Sequence, residues 1–110
     1  MMEVNFNNTV IGVRDDNIVV SSNRGNLDVR GILSGAVIVN DSAKFTLHGI
    51  MHGDLLVNEG GTTEIYGTLD APAIQSHGQL DIYGSVTCPL GVPETAILHP
   101  GCIVNGVKYD

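Results

Sequence analysis

Apolar and polar residues alternate along most of this chain with a period of two. In one representative stretch, Leu27, Val29 and Leu33 share a parity with Val37 and Val39. Such alternation predicts short β-strands with one buried face, because successive side chains of a strand point to opposite sides. The i, i+3, i+4 spacing of an amphipathic helix is missing. The pattern therefore predicts an all-β chain.

A glycine returns at a nearly constant interval within this alternation. The recurring positions are Gly12, Gly31, Gly49, Gly67, Gly84 and Gly101. A fixed internal period, here of about 17–19 residues, signals a repeat architecture. Units of near-equal length stack most simply as parallel strands, each coil about 4.8 Å above the last. We expect the glycines at the bends, where a side chain would hinder the turn. The sequence thus predicts a single-domain parallel β-helix (β-solenoid) of about six coils over residues 9–106, with short flanks at 1–8 and 107–110.

Charge restricts the classes of partner. The chain has 110 residues, and 12 acidic against 5 basic side chains give a net charge of −7. Binding to nucleic acid or to anionic lipid needs clustered Lys and Arg, so neither partner is expected. An acidic surface does permit a basic protein partner.

Cysteine usage and hydropathy predict a cytoplasmic protein. Two cysteines are too few for a disulfide framework, and the repeat register predicts that Cys88 points inward and Cys102 outward, so that they do not pair. The first nine residues contain no apolar run typical of a signal peptide. No segment approaches the roughly 18 apolar residues of a membrane span.

The residue before each repeat glycine is predicted to point outward, so these residues form one column along the rod. The column reads Ile11, Arg30, His48, Tyr66, Tyr83 and Pro100. Ile32 and Ile50 are predicted to point outward beside it. Because Tyr and Arg are enriched at protein interfaces, we take Arg30, Ile32, His48, Ile50, Tyr66 and Tyr83 as a candidate protein-contact stripe. Stacking between coils that only stabilises an exposed face is the alternative.

Candidate chemistry is weak, and we predict no enzymatic activity, no cofactor and no metal site. Three residues after each glycine, a second column reads Asp15, Ser34, His52, Asp70 and Thr87. It contains the residue types of a catalytic triad, but a flat solenoid face supplies neither a pocket nor an oxyanion hole. His48 and His52 lie about 13 Å apart on an extended chain, too far to share an ion. Zinc spacings, glycine-rich nucleotide loops and the strict six-residue frame of hexapeptide acyltransferases are all missing.

Two segments, 26–35 (NLDVRGILSG) and 45–55 (FTLHGIMHGDL), resemble the repeat unit of bactofilins, the bacterial polymer-forming cytoskeletal proteins. The similarity extends over about residues 9–106. The resemblance implies a right-handed β-helix that polymerises end to end without nucleotide. It also implies a scaffold role at the cell envelope, in the cytoplasm and at the inner face of the membrane.

The two ends of a solenoid expose unpaired strand edges, which must be capped or paired. Val4 and Phe6 at one end, and Val107 and Tyr109 at the other, are the candidate end contacts or caps. We therefore predict a structural scaffold protein that associates with itself through its solenoid ends. The alternative is a small acidic protein-binding module, such as an immunity protein or antitoxin that neutralises a basic bacterial toxin.

Overall fold

The computed structural model describes the backbone of residues 2–4, 7–20 and 25–109, with side chains described within 9–20 and 25–109. The chain is all-β and winds into a parallel β-solenoid, as its alternation and period predict. Each full turn contributes one short strand to each of three sheets, named A, B and C below. No helix occurs within the described ranges.

The strands are numbered in chain order, and each sheet follows the rod from its N-terminal to its C-terminal end. Sheet A contains β1 (Met2–Val4), β4 (Ile18–Val20), β7 (Val37–Val39), β10 (Leu55–Val57) and β13 (Ile74–Ser76). Sheet B contains β2 (Asn7–Val10), β5 (Asn26–Val29), β8 (Lys44–Leu47), β11 (Thr62–Ile65), β14 (Gln79–Ile82) and β16 (Ile97–Leu98). Sheet C contains β3 (Val13–Asp15), β6 (Ile32–Ser34), β9 (Ile50–His52), β12 (Thr68–Asp70), β15 (Ser85–Thr87), β17 (Ile103–Val104) and β18 (Val107–Lys108).

Apolar side chains from the three sheets fill the interior in stacked columns. One column places Leu27, Phe45, Thr63 and Leu80 in register, each fully buried. Thr63 is the polar exception, and its Oγ1 finds no hydrogen-bond partner among the described residues. The remaining core columns consist mainly of Val, Ile, Leu, Met and Ala, so burial of apolar surface is the main stabilising term.

The repeat glycines let neighbouring coils approach closely at one corner. A Cβ atom added to Gly49 would collide with the carbonyl oxygen of Gly31 in the preceding coil and with the backbone of Arg30. The φ angle of Gly49 lies outside the left-handed region, so glycine is needed here for contact distance and not for backbone freedom. Gly67 stands in the same relation to Gly49, and Gly84 to Gly67.

The stacking begins earlier than the predicted boundary at residue 9. Strand β1 pairs in parallel with β4, with Val4 opposite Val20, and β2 pairs with β5. The N-terminal flank is therefore part of the sheets at least in its backbone. Phe6 lies outside the described residues, and so does the side chain of Val4.

The last turn departs from the regular pattern. Residues 88–96 contain no strand, and Thr95 Oγ1 donates instead to the carbonyl oxygen of Ser76 at the end of sheet A (3.3 Å). Sheet C ends in the antiparallel pair β17–β18. The connecting residues Asn105 and Gly106 have φ angles of 50° and 81°, as a two-residue type I′ hairpin turn requires.

Cys102 is fully buried in this last turn, so the prediction that it points outward is wrong. The glycine spacing aligned Cys102 with the outward position of Ser85, but the partner of Ser85 in the sheet is Ile103. This shift of one residue gives Cys102 the same parity as Val104, which is buried opposite Val86. Both Cys88 and Cys102 are free thiols.

Candidate interaction surfaces

Four planar side chains stack in one ladder on the outer face of sheet B. Their ring centroids are separated by 5.1 Å from His48 to Tyr66, 4.6 Å from Tyr66 to Tyr83 and 4.0 Å from Tyr83 to His99. Each neighbouring pair of rings is parallel to within 9°. Each ring therefore covers the face of its neighbour, and mainly ring edges are left for solvent or a partner.

His99, and not Pro100, continues this column in the last coil. Ile82 pairs with Leu98, so the residue after each strand, Tyr83 or His99, occupies the next equivalent position. The prediction of Pro100 followed the glycine spacing and is wrong, because the chain advances by one residue fewer here than that spacing implies. The predicted order from His48 through Tyr66 to Tyr83 is present as expected.

A column of acidic residues runs beside the ring ladder, and its first member is Asp28. One carboxylate oxygen accepts a hydrogen bond from Arg30 Nε at 2.9 Å, and the other lies 2.8 Å from His48 Nδ1. Burial by itself raises the pKa of Asp28, but the hydrogen bonds with His48 and Arg30 outweigh it and hold the pKa below the ordinary 3.8. Arg30 and His48 are thus joined through a shared carboxylate.

Glu64 is the second member of this acidic column, in register with Asp28 two coils earlier through Thr46. Lys44 Nζ contacts one oxygen at 2.9 Å, and the Tyr66 hydroxyl donates to the other at 3.0 Å. The Lys44 contact lowers the pKa of Glu64 below its usual 4.5, burial opposes this, and the Tyr66 hydrogen bond adds to the lowering. The same hydrogen bond raises the pKa of the Tyr66 hydroxyl.

Asp81 is the third member and the most buried, with 5% of its surface exposed. Gln79 Nε2 donates to one oxygen at 2.8 Å, and His99 Nε2 lies 3.1 Å from the other. Each carboxylate of the column is therefore held by two neighbours within the chain. The ring ladder and the acidic column form one internally satisfied face.

The predicted contact stripe is divided between two sheets. Arg30, His48, Tyr66 and Tyr83 line sheet B. Ile32 and Ile50 lie around the corner on sheet C, paired with each other and each 38% exposed. The stripe is thus two adjoining strips, and its two isoleucines do not belong to the ring ladder.

The column with triad residue types lies on the outer face of sheet C in the predicted register, with Ser34 beside His52 and His52 beside Asp70. His52 Nδ1 stands 3.5 Å from Asp70 Oδ2, and both side chains are more than half exposed. Within residues 9–20 and 25–109, no three His, Cys, Asp or Glu side chains are placed to hold a metal ion.

Sequence reasoning missed an apolar strip on the outer face of sheet A. Val19, Ile38 and Leu56 stack there in register, each partly exposed. A shallow depression of about 280 Å³ lies beside Ile38 and Leu56 and extends to Ala73 and Gln75. The signal was present, because Val37–Val39 is an uninterrupted apolar run in which the central residue must point outward.

The N-terminal end of the solenoid presents strand edges with which no other described strand pairs. Among the described strands, none lies beyond β1, β2 and β3, which end the three sheets. Gly12 O accepts from Ile32 N, and Asp16 N donates to Ser34 O. Because alternate residues of a parallel strand bond to the same neighbour, Val13 and Asp15 direct their peptide groups toward the open side.

The side chains at this edge are correspondingly exposed. Ile11 and Val13 are 81% and 80% exposed, whereas Ile32, directly above Val13, is 38% exposed. Arg14 occupies the position that Leu33 fills in the next coil, and its Nη2 lies 3.5 Å from Asp16 Oδ2. The edge therefore combines two exposed apolar side chains with charges of both signs.

Compared with known proteins, the chain matches no family model, no curated protein and no solved structure. In the part of the chain that the structure describes, no helix is long and apolar enough to cross a membrane.

Proposed function

We propose that this protein is a non-enzymatic structural protein that associates with copies of itself through a solenoid end. The observation that carries the proposal is the N-terminal edge, where no described strand pairs with the outer side of β3, beside the exposed Ile11 and Val13. Unpaired strand edges are templates for pairing with another chain, and soluble proteins normally cover or charge them. The resemblance of residues 26–35 and 45–55 to bactofilin repeats supports the same role.

The outer faces support this choice over catalysis. On sheet B each carboxylate of the acidic column is bound by neighbours, and the rings cover one another. The side chains of the His52–Asp70 pair on sheet C are each more than half exposed, so water is not excluded from them. The regular stacked coils therefore serve best as a rigid body that presents its ends and faces.

Sedimentation equilibrium of the full chain over a wide concentration range tests the proposal. We expect the weight-average mass to rise above that of the 11.6 kDa monomer as concentration increases. A mass that stays at the monomer value up to millimolar concentration would overturn self-association.

A second candidate is an acidic module that binds a basic protein, such as a toxin, through sheet B. The acidic column beside the exposed edges of Tyr66 and Tyr83 favours it, together with the net charge of −7. Co-purification with the product of a neighbouring gene tests this role. Loss of that partner in Tyr66→Ala/Tyr83→Ala, with self-association unchanged, would support it.

A further inference from the structure

The two ends of the solenoid differ in whether another coil can be added. At the C-terminal end, sheet C finishes in the antiparallel hairpin β17–β18, so a parallel strand from a second copy finds no parallel partner there. Sheet A ends at β13, where Thr95 Oγ1 donates a hydrogen bond to the carbonyl oxygen of Ser76. Two prolines, Pro89 and Pro93, follow in the strand-free segment and lack the N–H that a ladder needs.

Apolar groups also close the core at the C-terminal end. Val92, Ala96 and Leu98 pack against the core from the irregular segment and from β16. Cys102 and Val104 are buried beneath the hairpin, with 0% and 6% of their surface exposed. Head-to-tail addition of a second copy would have to displace this cap.

The N-terminal edge is compatible with itself. A two-fold axis perpendicular to the rod turns the second copy over, so that edge strands of the two copies meet antiparallel. The N–H and C=O groups of Val13 and Asp15 on the side of β3 where no described strand pairs suit this contact, since antiparallel strands exchange hydrogen bonds in pairs.

We infer that self-association closes at two copies, joined through their N-terminal edges about a two-fold axis, with the capped C-terminal ends pointing outward. This inference rests on the proposed function and limits it. An interface that uses the same patch on both subunits is satisfied after one contact, and a head-to-tail addition at the other end would have to displace the cap. The product is a longer solenoid of fixed length and not a filament.

Two matched double variants locate the interface. Ile11→Lys/Val13→Lys places charges on the open edge, where lysine is a natural block to edge pairing. Val107→Lys/Tyr109→Lys adds the same charge at the opposite end. All four side chains are exposed, so far-UV circular dichroism should show both variants folded. Val13→Lys alone serves if the N-terminal double variant does not fold.

Sedimentation velocity of the full chain and both variants gives the decisive readout. We expect a monomer–dimer equilibrium for the parent chain, a dissociation constant at least tenfold higher for the N-terminal variant, and no change for the C-terminal variant. A strictly monomeric parent would overturn this inference and the proposed function together. Species beyond the dimer, or a dimer lost only in the C-terminal variant, would overturn this inference and leave self-association standing.

Discussion

The stacked repeat glycines of the central coils, residues 26–87, and the turn glycines of the last turn, residues 88–109, serve two different purposes. In the central coils, Gly49 has no room for a Cβ because the preceding coil lies against it. In the last turn, Gly101 and Gly106 have φ angles of 93° and 81°, and a Cβ atom there would meet nothing within 4 Å. The same residue type thus permits close stacking at Gly49 and left-handed turns at Gly101 and Gly106.

This difference shows that a constant sequence period does not guarantee an equivalent structural position. Gly84 and Gly101 are separated by the same interval along the chain as Gly67 and Gly84. Gly84 lies against the coil below it, yet Gly101 lies in an open turn before β17. Glycine substitutions in the two regions should therefore have different effects.

Alanine at the two kinds of glycine should separate the regions most sharply. Gly49→Ala forces a Cβ against backbone atoms that cannot rotate away, and we expect it to lower the free energy of unfolding by at least about 3 kcal/mol. Gly101→Ala has open space and adds only left-handed strain, about 1 kcal/mol. Urea denaturation followed by circular dichroism measures both losses. Equal losses would contradict the distinction between contact distance and turn conformation.

The cap of the last turn should depend on its hairpin turn. Gly106→Val puts a β-branched residue at a positive φ angle, and we expect a loss of about 2 kcal/mol as β18 detaches from β17. Gly106→Asn is the matched control, because Asn tolerates the left-handed region. Sedimentation velocity should then show species larger than a dimer for the Val variant alone. A Val variant that keeps both its stability and its assembly state would show that the hairpin is not the cap.

The core of the central coils contains a buried hydroxyl, that of Thr63, which a substitution can remove. Thr63→Val replaces a buried hydroxyl without a described hydrogen-bond partner by a methyl group of similar size. We expect the free energy of unfolding to rise by about 1 kcal/mol, because an unsatisfied buried polar group is removed. Thr62→Val, on the outward side of the same strand, should change stability by less than about 0.5 kcal/mol. A loss of stability in Thr63→Val would mean that the hydroxyl is satisfied.

The acidic column should make the central coils sensitive to acid. The pKa values of Glu64 and Asp28 are lowered in the folded chain, so their contribution is fully present above the unfolded values near 4.5 and 3.8. It is lost as the pH falls through the lower folded values. Because both side chains are partly exposed, we expect less than about 1 kcal/mol from each.

Denaturation of Glu64→Gln between pH 6 and pH 3 tests this dependence. Its stability should fall less steeply with acid than that of the parent chain, whereas Glu59→Gln, at an exposed corner, should follow the parent. If the free energy of unfolding falls equally with pH in the parent and in Glu64→Gln, the Lys44–Glu64–Tyr66 cluster is not the cause of the acid sensitivity.

Alternation and period were sufficient to predict the fold and most columns of the central coils. The order of Ser34, His52 and Asp70 follows from two equal offsets on sheet C, which the glycine spacing matches. The column through Tyr83 failed at its next member because the chain then advances one residue fewer on sheet B than the glycines indicate. The alternation of apolar and polar residues does not show whether a residue is gained before or after β16, and so it does not place β16 and β17 in register.

The structure of the solenoid's C-terminal end and the side-chain hydrogen bonds on sheet B were harder to predict from the sequence. Nothing in the alternation distinguishes Val107–Lys108 as an antiparallel strand from a seventh parallel one, although the Asn105–Gly106 dipeptide is a type I′ signal. The carboxylate contacts depend on which neighbouring column each side chain reaches, and that is set by register and rotamer together.

The nearly constant sequence separation between paired strands also affects how the chain folds during synthesis. Every parallel pair joins residues separated by almost the same length of chain, from Met2 and Ile18 in the first to Ser85 and Ile103 in the last. Closing such a segment costs nearly the same entropy each time, and no pair waits for a distant part of the sequence. Each coil can therefore dock on the one before it as it leaves the ribosome. The hairpin β17–β18 follows all the parallel coils in the chain, so the growing edge stays open until that hairpin has been made.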